Sequence, residues 1–174
     1  MVQWPDSMYT LYLISVWLHV LASMVWIGGM VFLALVLVPY ARLPEQREQA
    51  MGMIRWTGVR FRSVGWICIA VLAATGLFNI SYRGYQWTDL AGEFWKSVFG
   101  RTLAIKLGLV GIVLLISLVH DFVIGPRAGL AARTHPGSVE ARRLRRQASW
   151  LGRLNLLLTL IILALAVTLV RGWP

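Results

Sequence analysis

Acidic residues are scarce in this 174-residue chain: seven Asp and Glu stand against 17 Lys and Arg, a formal charge of +10. Cysteine is scarcer still. Cys68 stands alone, which excludes an internal disulfide and any Cys-x-x-Cys metal or redox site. No Met-x-x-Met pair is present, and no carboxylate pair or Ser/His/Asp constellation lies within an apolar run. Hydrolytic chemistry therefore lacks the groups it needs. The sequence shows no internal repeat and no low-complexity tract.

What is abundant is apolar surface. Hydrophobic residues make up 58% of the chain and the mean hydropathy is +0.68, outside ordinary soluble usage. The excess lies in four stretches, Met8–Val38, Val64–Ile80, Thr102–Val123 and Leu154–Val170. Each approaches the ~20 residues that cross ~30 Å of hydrocarbon at ~1.5 Å per residue. The expected fold is an all-α, up-down bundle of four membrane helices, residues 1–174 forming one transmembrane domain. The first stretch is too long for a signal peptide, and Met1–Ser7 carries Asp6 but no Lys or Arg. Its length requires tilt or extension beyond the bilayer.

The positive charge alternates between loops. Arg42, Arg47, Arg55, Arg60 and Arg62 follow the first stretch, and Arg127, Arg133, Arg142, Arg143, Arg145, Arg146 and Arg153 follow the third. The second loop carries only Arg83, Lys96 and Arg101, against Asp89 and Glu93. The positive-inside rule puts the first and third loops in the cytoplasm and both termini outside, as in a bacterial-type inner membrane. Such clusters suit anionic lipid headgroups rather than nucleic acid.

Val38-Pro39 is the expected end of the first helix, because proline lacks the N–H that a helix continues with. Pro44–Trp56 reads as a short interfacial helix. Thr88-Asp89 reads as the cap of another, inside an aromatic loop that includes Tyr82, Tyr85, Trp87, Phe94, Trp95 and Phe99. Gly125–Gln147 is either a flexible loop or the approach to a fourth helix extended by the Arg-rich segment from Val139.

Two histidines lie inside apolar runs, where an imidazole is costly unless it pairs or binds a metal. His19, Ser23, Trp26 and Met30 fall on one helical stripe, with Gly28 and Gly29 beside it. Lys106, Val113, Ser117 and His120 share a face of the third helix. Lys106 can also snorkel to water, and His120 can be a structural residue bonded to Asn155 or a loop carbonyl. Depth separates the pair. His19 is about 30 Å from Pro39 along the helix axis, whereas His120 is about 9 Å from Pro126. One shared metal site is thus disfavoured. Outer partners for His19 are Lys106, Thr75, Met24 or a second subunit. Copper(I) finds few soft donors here (Met24, Met30, Cys68), while a haem needs only an axial imidazole and a slot relieved by glycine.

Several of these segments resemble the copper-resistance D (CopD) membrane domain. They are Trp17–Ala22, Val25-Trp26-Ile27-Gly28-Gly29, Arg60-Phe61, Thr75-Gly76 and Gly100–Lys106. A looser similarity links the first-helix His and Trp, Lys106 and His120…Gly125-Pro126-Arg127 to the HemJ-type haem b proteins, although the first helix lacks their Leu-Pro-Arg motif. The resemblance implies copper transport or tolerance, with His19 the first choice of metal ligand, His120 the second and Met30 a further one, with Trp26 and Met30 lining the route and with Lys106 tuning its charge at the cofactor site. The alternative is a haem b electron carrier or an accessory subunit of a larger membrane complex. A homo-oligomer is also compatible, and any catalysis would be haem-dependent oxidoreduction.

Overall fold

The computed structural model describes residues 5–171 apart from 42, 44, 46, 83–92 and 136. Four helices long and apolar enough to span a membrane run through it: α1 (Asp6–Tyr40), α2 (Gly52–Tyr82, within the longer helix Arg47–Tyr82), α3 (Val98–Thr134) and α4 (Val139–Arg171). No strand occurs among the described residues. The Thr88-Asp89 cap lies outside them.

The bundle has two hairpins. α1 packs along α2, α3 packs along α4, and α4 also touches α1. Large apolar side chains point outward, such as Trp17, Met24, Ile67 and Leu115. The interior is small and partly polar: Ser15, Ala22, Thr75, Val113, Ser117, Asn155 and Thr159 are buried. In lipid the apolar effect does not drive helices together, so close packing and interhelical hydrogen bonds take its place.

α1 ends at Tyr40, one residue beyond the expected stop at Val38-Pro39. The helix opens into a π turn at Leu33–Leu37 and continues through Val38–Tyr40. The wider turn absorbs the register change that a ring without an N–H imposes on the turn before it. The same device recurs in α3, where a π turn at His120–Ile124 precedes Pro126 and the helix runs on to Thr134. The two π turns are displaced by 87 residues, from 33 to 120, and so are the two prolines. The hairpins thus share one build that residue identities conceal. With this displacement His19 corresponds to Lys106, and Met30 to Ser117.

One expectation changes, and of the two alternatives for Gly125–Gln147 the fourth helix extended from Val139 holds. Pro44–Trp56 does not form a separate interfacial helix, because from Arg47 its residues belong to one continuous helix with the second span. Residues 125–147 are mainly helical. Gly125–Thr134 prolongs α3, and α4 begins at Val139, where the Ser138 hydroxyl accepts from the Ala141 N–H at 3.1 Å.

The motif residues pack on one another. The Phe61 ring of α2 lies over Gly29 of α1, where a Cβ would overlap it. Trp26 lies in ordinary contact distance of Gly65, and His19 of Gly76, each 3.5 Å from where a Cβ would stand. Three rings set against three glycines thereby fix the α1–α2 register.

Candidate functional site

The half of the bundle nearer the start of α1 holds a polar interior built by two stripes. Ser15, His19 and Ser23 recur every fourth residue of α1, and Thr75 and Asn79 do the same on α2. His19 Nδ1 meets Thr75 Oγ1 at 2.8 Å. The Thr75 hydroxyl has one proton, and its contact with the Val71 carbonyl is the shorter, at 2.6 Å. That proton goes to Val71, so Thr75 Oγ1 accepts from His19 Nδ1–H. The remaining nitrogen, Nε2, then carries a lone pair and has no hydrogen-bond partner among the described residues. A metal ligand needs this arrangement: one nitrogen held as a donor, the other free.

Neighbouring groups keep the site in place. Ser23 Oγ donates to the His19 carbonyl at 2.8 Å, and Ser15 Oγ reaches the Thr75 carbonyl at 3.5 Å. Lys106 of α3 is half-buried and within electrostatic reach of His19. One turn beyond Thr75, Asn79 Oδ1 is buried with no hydrogen-bond partner among the described residues.

The other candidates stand elsewhere. Trp26 packs against Gly65, facing α2. Met30 is buried against α4, where Asn155 Nδ2 approaches its Sδ at 3.8 Å and donates to Ser117 Oγ at 3.1 Å. Asn155 Oδ1 is buried and unpaired among the described residues. Asn155 thus joins Met30 and Ser117, the two corresponding positions of the hairpins, and does not bond His120. His120 Nδ1 lies 2.9 Å from Asp121 Oδ1, while Asp121 Oδ2 accepts from the Trp66 indole at 3.1 Å. Beside them Arg62 lies over the Phe122 ring. His19 and His120 share none of these neighbours. No group of three or more His, Cys, Asp or Glu that could hold a metal ion occurs among the described residues.

Ser15 and Asn79 were not singled out by sequence reasoning. The signal was available: each lies one helical turn from a candidate, Ser15 from His19 and Asn79 from Thr75.

The family model for copper resistance protein D, CopD, matches residues 56–169, most of the chain. The chain belongs to the CopD family. A relative from Aquifex aeolicus (strain VF5) is 35% identical over 158 residues, covering 90% of this chain and 93% of that protein, and is described only as an uncharacterized protein. No solved structure matches. Four apolar helices and CopD membership make this a multi-pass membrane protein. The matched region begins after His19, so the first-helix histidine lies outside it.

Proposed function

We propose that this CopD-family protein handles copper, serving its transport or tolerance, and that His19 is the residue that first binds the ion. The observation that carries this reading is the Thr75–His19 contact, which leaves Nε2 as an open donor within the membrane. Copper is cargo here, so a closed cage is not required: one imidazole and neighbouring oxygens hold an ion weakly enough to release it. Met30 is the next donor inward on the same stripe, about 17 Å along α1 by helix rise, and Trp26 forms part of the wall between them. Lys106 sets the positive charge that an incoming ion meets. His120, steadied by Asp121, is the candidate ligand at the cytoplasmic end.

The test is copper(I) binding by purified protein, with copper tolerance of the host measured in parallel. Wild type should bind copper in proportion to protein, His19→Ala should bind far less, and deletion should change tolerance. Absence of bound copper with unchanged tolerance would refute the proposal. A stoichiometric Soret band lost in His19→Ala would replace copper with haem b.

A further inference from the structure

At the cytoplasmic end, a groove of about 490 Å³ opens between α4 and the π turn of α3. Val119 and Ile124 form its α3 side; Arg143, Arg146, Gln147, Trp150 and Leu151 form its α4 side. The α4 residues fall at successive offsets of three, four, seven and eight from Arg143, so they make one stripe of that helix. We propose that this groove binds an anionic glycerophospholipid, with the headgroup phosphate between Arg143 and Arg146 and an acyl chain along Val119, Ile124, Trp150 and Leu151. The inference is independent of copper handling.

Three observations favour a lipid. Charge is the first: neither arginine has an ion-pair partner among the described residues, and no acidic residue lines the groove. The nearby Asp121 is already engaged by Trp66 and His120. The second is polarity along the stripe. α4 runs from the cytoplasm into the membrane, and Arg143 to Trp150 spans about 10 Å by helix rise. Over that distance the lining passes from guanidinium through amide and indole to aliphatic side chains, matching a lipid from phosphate through glycerol to chain. The third is the apolar wall itself. A soluble anion would use the arginines but leave Val119, Ile124 and Leu151 without a role.

The experiment uses the full chain in detergent and measures retention of phosphatidylglycerol by native mass spectrometry, with phosphatidylcholine as the uncharged comparison. Wild type should retain phosphatidylglycerol selectively. The double variant R143Q/R146Q should lose about tenfold or more in affinity. The double variant R142Q/R145Q removes the same charge from neighbouring positions that do not line the groove, and should stay within about twofold. Glycerol phosphate, the headgroup without chains, should not compete, and Leu151→Gln should weaken binding with both arginines intact. Equal losses in the two double variants would reduce the effect to general surface charge and overturn the proposal. So would competition by glycerol phosphate, which would make the groove a soluble-anion site, or retention unchanged in R143Q/R146Q.

Discussion

The Thr75 hydroxyl accepts from Nδ1 of His19 at 2.8 Å while giving its own proton to the Val71 carbonyl. One threonine therefore decides which nitrogen of this imidazole keeps its lone pair. Thr75→Val keeps the shape and removes the oxygen. It should lower copper affinity by about 10- to 100-fold and let the ring populate both tautomers, as read from its nitrogen chemical shifts. Thr75→Ser should retain both properties.

Gly28 and Gly29 are adjacent, yet only one is in tight contact. A Cβ at Gly29 overlaps the Phe61 ring, while a Cβ at Gly28 meets nothing within 4 Å. Gly29→Ala should destabilise the folded protein by about 1–3 kcal/mol, seen as a lower thermal midpoint in detergent. Gly28→Ala should leave the midpoint unchanged or raise it. Shortening the ring with Phe61→Leu should recover part of the Gly29→Ala loss.

Asn155 ties α4 to α3 through Ser117. A double-mutant cycle with Ser117→Ala and Asn155→Leu should give a coupling of about 0.6 kcal/mol, within the range for interhelical hydrogen bonds in membranes. A coupling of zero would mean that Ser117 takes no part in holding these helices together.

The arginine placement predicts that both termini lie outside, which a labelling test checks. In a Cys68→Ala background, Ser81→Cys should react with an impermeant maleimide applied to intact cells. Arg133→Cys should react only after permeabilisation. Both positions are exposed. The opposite pattern would put His19 on the cytoplasmic side.

The four spans were legible because apolar length in a bilayer leaves little choice of structure. His19 and its stripe were legible for a related reason: a polar residue at helical spacing in an apolar run has few places to point. Thr75 was among its foreseen partners. Pro39 marked the end of α1 to within one residue, but nothing in the residue pattern showed the π turn at Leu33–Leu37 that precedes it. The start of α2 was misread because proline and acidic residues mark a helix entry without saying how far the helix then runs. The kinship of the hairpins was hidden for another reason. His19 corresponds to Lys106 and Met30 to Ser117, so the likeness lies in backbone form and not in residue type. Asn155 was paired with His120 by shared depth alone, and periodicity did not reveal that Ser117 and Met30 are its neighbours.

The paired π turns carry a consequence for how each odd-numbered helix meets its neighbours. A π turn adds one residue to the winding, which rotates everything beyond it by about 100° relative to an unbroken helix. In α3 that phase slip falls at His120–Ile124, the segment that holds the His120–Asp121 pair. α1 makes the same slip at Leu33–Leu37. A helical wheel drawn for Asp6–Phe32 is therefore out of step with Val38–Tyr40, and one drawn for Val98–Val119 is out of step with Gly125–Thr134. α3 is thus two rods geared together, the longer turned to hold Lys106 and the ten residues past the slip presenting a different side, whereas in α1 only the last three residues are so turned.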